Sequence, residues 1–393
     1  MLKKNPTYSG VLLGAAFLMA TSAIGPGFIT QTTKFTAELS ASFGFVILVS
    51  ILLDIGAQLN IWRIISVSEL YTQELANTVF PGAGRVLTLL IVIGGIAFNI
   101  GNIAGCGLGL NVLFGWNVKT GAAVSSGIAV MIFSIKQAGK AMDWFAKLLG
   151  FIMIGLTVYV AIRSHPPLGQ AIIRSFVPEK INELIILTIV GGTVGGYISF
   201  AGAHRLLDAG ISGEKHLASV SVSSVKAIMI AALMRIVLFL AALGVVKQGI
   251  MLDPQNPAAT VFRSAAGLAG YKLFGLVLWS AAITSVVGSA FTSISFMKTL
   301  NPYIRTNFRY FIMGFIFISL FIFLWIGQPV KVLIFAGGLN GLILPIALSI
   351  ILIAARRKDI TGNYQHPSWM QAAGWTVVVV MTYMGALGII SLF

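Results

Sequence analysis

Charge is what this sequence has least of. Asp, Glu, Lys and Arg make up 9% of its 393 residues, against about 25% in soluble domains. So few charges cannot coat a water-facing surface, which excludes a soluble globular protein. Acids are scarcest: 11 Asp and Glu stand against 26 Lys and Arg, a formal net charge of +15. A nucleic-acid partner is nevertheless excluded, because the basic residues stand singly and form no stripe. The lone cysteine, Cys106, sits inside an apolar run, which leaves no intrachain disulfide and disfavours thiol chemistry. The chain has no Walker-type phosphate loop, no paired metal-ligand histidines and no nucleophile–base constellation. An enzyme, an ATP-driven pump and a resident cofactor are therefore not expected. The polar start, Met1 to Ser9, is followed by an apolar run without a small-residue cleavage site. It reads as a retained first helix, not a signal peptide.

What is present is apolar surface. Fifty-seven per cent of residues are hydrophobic and mean hydropathy is +0.94, enough for ten or more spans of about 20 residues. The 43 glycines suit close helix packing and interrupted helices. The apolar runs predict about eleven spans, near 9–37, 43–64, 86–112, 120–135, 143–163, 185–207, 224–246, 270–297, 307–327, 330–354 and 370–392. Short amphipathic pieces are expected near 66–78 and 256–267. With the N-terminus inside, the inner loops carry most of the lysines and arginines, which sets a cytoplasmic N-terminus in a multi-pass cell-membrane protein. Trp62, Trp116 and Trp325 fall near span ends, where interface anchors sit. His204 and Arg205 close the sixth span as interface residues.

Two spans carry their own breaks. The first reads Thr21-Ser22-Ala23-Ile24-Gly25-Pro26-Gly27-Phe28-Ile29-Thr30. Pro26 lacks an N–H and clashes with the preceding turn, and its flanking glycines permit non-helical dihedrals. The sixth reads Gly191-Gly192-Thr193-Val194-Gly195-Gly196-Tyr197. Unwound backbone within a bilayer is tolerated where it lines a cavity or meets other protein. Two broken helices at corresponding positions point to a transporter's binding site. The half-helix after each break should aim its positive N-terminal end at that site, which suits an anion. The plainer alternative is that glycine merely eases helix packing.

These segments resemble the NRAMP family. Gly25-Pro26-Gly27-Phe28-Ile29-Thr30-Gln31 falls on its first-helix DPGN motif. Leu110-Asn111-Val112-Leu113-Phe114-Gly115 is similar to its LNLLFG stretch, and Gly192-Thr193-Val194-Gly195-Gly196-Tyr197 falls on ATVMPH. Leu344-Pro345-Ile346-Ala347-Leu348, followed by Arg356-Arg357-Lys358-Asp359 and Gly362, resembles LPFAL with its RRDLMG tail. The resemblance implies an all-α LeuT-like fold: a five-plus-five inverted repeat with broken first and sixth helices. One transmembrane domain would cover 1–393, with repeats at 1–163 and 185–354 and an additional helix at 370–392.

The departures bear on substrate. In the family, the Asp and Asn of DPGN and the Met of MPH bind a divalent metal; the matching positions here are Gly25, Phe28 and Gly195. The MPH histidine falls on Tyr197, and a tenth-helix Gln falls near Gly337. A metal ion needs several donors to replace its water, so no metal site is expected. On the proton route of metal-transporting relatives an Asp and a Glu are replaced by Asn99 and Asn102, and an amide exchanges no proton in this pH range.

A new cation has arrived instead. Arg235 lies mid-span in the seventh helix, where the family has an Asn. Asp54 and Gln58, four apart, share a face of the second span. Three readings of the ions stand open. Asp54 and Arg235 pair structurally; or Arg235 holds a substrate carboxylate while Asp54 serves a coupling ion or gate; or either snorkels or lines a watery vestibule. Ser285, with Thr284, either joins first-helix carbonyls around sodium, as in the wider fold, or bonds its own helix backbone.

The leading expectation is secondary transport, by alternating access, of a small carboxylate-bearing solute such as an amino-acid derivative. Its binding residues would be Gly25, Gly27, Phe28, Thr30, Gly195, Gly196, Tyr197 and Arg235, with Phe28 and Tyr197 as walls. Asp54, Gln58, Asn99, Asn102 and Ser285 would serve coupling or gating, with Na⁺ or H⁺ as the coupling ion. Members of this NRAMP-like branch often occur beside 5-oxoprolinase components, which makes 5-oxoproline the first compound to test. The alternatives are a divalent-cation transporter of the Mn²⁺ or Mg²⁺ type, and a non-transporting membrane sensor or subunit.

Overall fold

The computed structural model describes residues 8–134, 138–298 and 301–390, and every regular element among them is helical. The chain runs through α1 (Tyr8–Ala23), α2 (Pro26–Leu39), α3 (Phe43–Ser68), α4 (Thr72–Val79), α5 (Ala83–Phe114) and α6 (Val118–Ser134). Next come α7 (Ala138–Arg163), α8 (Leu168–Phe176), α9 (Glu183–Val194), α10 (Ile198–Asp208), α11 (Leu217–Lys247) and α12 (Pro257–Met297). It ends with α13 (Pro302–Thr306), α14 (Phe308–Ile326), α15 (Pro329–Ala354), α16 (Lys358–Thr361) and α17 (Ser368–Ile390). Both expected breaks are present, between α1 and α2 and between α9 and α10.

Among the described residues, eight helical stretches are long and apolar enough to cross a bilayer, or nine with the bent α7–α8 pair. That is fewer than the eleven spans expected, for reasons of length. The first break leaves α1 only 16 residues, and α6 has 17. The α2–α3 stretch passes as one unit of 43 residues, although Ser40, at φ 52, turns the chain between the two helices. Residue 135 of the expected fourth span and residues 391–392 of the last lie outside the described residues.

The expected amphipathic pieces are α4 and the opening turns of α12, which bends at Gly267 (φ 63, ψ −159). A third was not foreseen: α8 turns 104° away from α7. Only Ala171 of α8 is buried, while Leu168, Ile172, Ile173 and Phe176 are exposed, the habit of a helix lying in a membrane interface.

The α9–α10 pair is the centre of the bundle, with 94% of its apolar window buried, against 28% for α14 and α17. Its glycines let α15 approach closely. A Cβ on Gly191 would strike the backbone of Gly337 and Gly341, and one on Gly195 would lie 2.7 Å from the Asn340 carbonyl. Trp62 is not an interface anchor. It is fully buried, its Nε1 donates to the Ser199 carbonyl at 2.9 Å, and its ring fills the space above Gly202. Trp116 and Trp325 are exposed, as anchors are. His204 is an internal strut as well: its Nε2 accepts the Thr72 N–H at 3.1 Å and so caps α4.

Candidate substrate site

The first break is built by Gly25 and Pro26. Gly25 is extended (φ −107, ψ −172), and Pro26 opens α2, a position where its fixed φ and missing N–H cost nothing. The Pro26 ring rests on Gly105 of α5, where any Cβ would collide with it. The second break is Gly195 (φ −77, ψ 165) followed by Gly196 at φ 56, a left-handed conformation that favours glycine.

Between the breaks lies a small cavity lined by Phe28, Ile47, Ser50, Ile51, Asp54, Thr193, Ile228, Ala231, Ala232 and Arg235. A water's centre has about 10 Å³ of free space there, the room of roughly one molecule. Phe28 comes from the first turn of α2 and Thr193 from the last turn of α9, so the cavity touches both breaks. Arg235 and Asp54 are each 3% exposed. The guanidinium lies 4.3 Å from the Phe28 ring centre, a cation–π geometry, and its Nη2 donates to the Thr193 hydroxyl at 3.1 Å. Its charge therefore sits at the carbonyl end of α9, the end that favours a cation. Arg235 Nη1 and Asp54 Oδ1 are buried without a hydrogen-bond partner. The two side chains share the cavity but do not form an ion pair. An unpartnered buried polar atom costs about 1–3 kcal/mol, more when charged, so the cavity holds unmet demand of both signs.

The remaining candidates gather elsewhere. Asn99 Nδ2 donates to Ser319 at 3.2 Å, and its Oδ1 accepts from Ser289 at 3.0 Å. Asn102 Nδ2 reaches the same Ser289 hydroxyl at 3.5 Å. Tyr197 also packs edge-on against Phe98. A Cβ on Gly25 would sit 3.6 Å from Ser285 Oγ and 3.7 Å from Asn102 Oδ1. Asn99 and Asn102 thus form a neutral polar cluster with Ser289 and Ser319 joining α5, α12 and α14, with Gly25, Ser285 and Tyr197 at its edge. Tyr197, expected as a pocket wall, does not line the cavity, because α10 turns it towards α5 and α12. Gly25, Gly27, Thr30, Gly195 and Gly196 do not line it either. At this break the guanidinium bonds Thr193 in the last turn of α9, so it meets a helix C-terminus. Thr284 bonds its own helix, to Ser280 and Ala281 carbonyls. Gln58 is buried and donates to the Ser224 carbonyl at 3.0 Å, clamping α3 to α11.

Two residues that sequence reasoning did not single out stitch the breaks to α15. Gln31 donates to the Leu333 carbonyl at 2.8 Å. Its amide nitrogen lies 2.6 Å from where a Gly337 Cβ would be, so an amide reaches that place from α2. Asn340, fully buried, donates to the Gly94 carbonyl at 3.1 Å while its oxygen presses on Gly196. A signal existed: Gly337-Gly338-Leu339-Asn340-Gly341 mirrors the glycines of α9. Among the described residues, no group of three or more His, Cys, Asp or Glu side chains is placed to hold a metal ion.

A family model described as natural resistance-associated macrophage protein-like matches residues 16–391. The chain belongs to the Nramp family. It is a multi-pass membrane transporter, not an enzyme. It is 60% identical over 383 residues to the uncharacterized membrane protein YcsG of Bacillus subtilis, covering 98% of this chain and 95% of that one. The manganese transporter of Eremococcus coleocola, solved with an aromatic bis-isothiourea compound, is similar in structure at TM-score 0.74 and 14% identity, covering 100% of this chain and 89% of that one. MhsT in complex with L-phenylalanine is similar at TM-score 0.64 and 17% identity, covering 97% and 98%. These neighbours show the shared LeuT-like fold.

Proposed function

We propose that this Nramp-family transporter is a secondary carrier of the cell membrane for a small organic acid, not for a divalent metal. The observation that carries the reading is Arg235: a buried guanidinium between the two breaks, with one nitrogen bonded to Thr193 and the other facing the cavity without a partner. A carboxylate entering there accepts a charge-assisted hydrogen bond from Arg235 Nη1. Phe28 forms the apolar wall. Asp54, across the same cavity, is the place for a coupling cation, Na⁺ or H⁺, or for a gate; Ser285 beside Gly25 is the second candidate. The small size of the cavity, with room for about one water, supports reading this as an occluded stage of an alternating-access cycle. Repeats 1–163 and 185–354 rock about it, with 370–392 outside them and the N-terminus inside.

A metal fits poorly. Gly25, Phe28 and Gly195 bring no side-chain donor, and the charge that lies over the Phe28 ring is a cation, Arg235. The fold accommodates organic substrates, as the phenylalanine complex of MhsT shows for that protein.

The test is Arg235→Gln in proteoliposomes, with 5-oxoproline as the first compound. A charge-assisted hydrogen bond contributes about 1.5–3 kcal/mol, so apparent affinity falls at least about tenfold while the protein stays monodisperse. Unchanged uptake by the variant removes Arg235 from the site.

A further inference from the structure

A second cavity lies where α15, α16 and α17 meet, remote from the breaks. It has a volume of about 420 Å³ and an open mouth. Arg356, Lys358, His366, Ser368, Gln371 and Trp375 are among the residues that line it. No acidic residue lines it. The neighbouring bases are occupied: Arg357 bonds Asp359 and the carbonyls of Thr78 and Val79, and Arg63 bonds Tyr364 and Ser221. Arg356 and Lys358 are exposed and enter no ion pair with the three acids that form one among the described residues. Inside, Gln371 is 6% exposed and its Oε1 has no partner. Ser368 begins α17, whose first N–H groups have no intrahelical acceptor.

Position decides what fits. α15 ends and α17 begins here, and both are membrane-length helices, so the cavity sits at the edge of the bilayer. Trp375, Val379 and Tyr383 follow one another at four-residue spacing, on one face of α17. Val379 and Tyr383 are 65% and 61% exposed. A polar cationic mouth therefore continues onto an apolar, outward-facing stripe.

We infer that this cavity binds the phosphate headgroup of an anionic phospholipid, with Arg356 and Lys358 holding the phosphate and the α17 stripe carrying an acyl chain. The charge and the stripe both belong to the ligand: juxtamembrane bases attract anionic headgroups, and a soluble phosphate compound would leave the stripe unused.

The protein is released from membranes of equal phosphatidylglycerol and phosphatidylcholine, and retained lipid is counted by native mass spectrometry. Wild type retains the anionic lipid over the zwitterionic one by at least threefold. The double variant Arg356→Gln, Lys358→Gln loses that preference, and Lys247→Gln with Lys331→Gln, an equal charge change elsewhere, keeps it. Millimolar glycerol phosphate does not displace the lipid. Equal retention of both lipids, the same loss in the control variant, or displacement by glycerol phosphate overturns the assignment. All four residues changed are exposed, so the variants fold.

Discussion

A guanidinium at bilayer depth costs about 2.5–3.5 kcal/mol on insertion scales. Arg235 offsets part of that through the Phe28 face, the Thr193 hydroxyl and the carbonyl end of α9, yet leaves one nitrogen unmet. The amides of the neutral cluster show the opposite design, since Asn99 both donates and accepts. Replacing Asn99 and Asn102 with Asp puts titratable groups where none exist. The pH dependence of uptake by that variant, measured between pH 5 and 8, differs from that of wild type; an unaltered profile would detach this cluster from coupling. A separate pH effect belongs to His366, between Tyr364 and Asn60. Burial, aided by Arg63, holds its ring down, to about 4, below the unfolded value of about 6.5. The unfolded chain then binds the proton first, so thermal stability in detergent declines as pH falls from about 6.5 to about 4 and levels off below. His366→Gln flattens that part of the profile. At this scale Arg235, Asp54 and Phe28 stand out in the sequence, as a charge or a lost ligand in an apolar run does, but the sequence left the roles of the two ions open. It was silent on Gln31 and Asn340, whose roles come from neighbours about 300 and 250 positions away.

Both breaks were legible at the level of elements, since Pro26 and the Gly195–Gly196 pair carry their backbone consequences in their own chemistry. What each break faces was not. Tyr197 follows a left-handed glycine, and only its edge-on contact with Phe98 of α5 shows which way it turns. The missed α8 has a different origin: Leu168–Phe176 is short, and the Ser164-His165-Pro166-Pro167 turn that bends it 104° from α7 reads as an ordinary loop. The glycines themselves divide into two kinds. Gly191→Ala pushes a methyl into the α15 backbone and costs about 1–3 kcal/mol, the usual range for overpacking. Gly288, in α12, has no neighbour in the way of a Cβ, so Gly288→Ala is neutral or stabilises by up to about 1 kcal/mol. Melting temperatures of the two variants should move apart, and a shared shift would contradict the close approach of α9 to α15. By the same reasoning Gly25→Asp fits beside Ser285, whereas Gly195→Met does not fit against Asn340.

The whole molecule keeps a family's scaffold while its centre has changed charge. The breaks, the proline and the glycine contacts between α9 and α15 are all in place, yet the positions matched to metal ligands carry hydrogen or a phenyl ring, and a guanidinium stands beside them. As proposed, Arg235 makes such a centre prefer an acid to a divalent cation. The most direct test is uptake by the purified protein in sealed liposomes, comparing labelled 5-oxoproline and a panel of small carboxylates with Mn²⁺ and Mg²⁺, under imposed sodium and proton gradients. Saturable entry of an organic acid, driven by one gradient, without metal entry, is the result expected here. Saturable entry of Mn²⁺ or Mg²⁺ with no carboxylate taken up would contradict it, and would mean that backbone carbonyls and water suffice to carry a metal past Arg235.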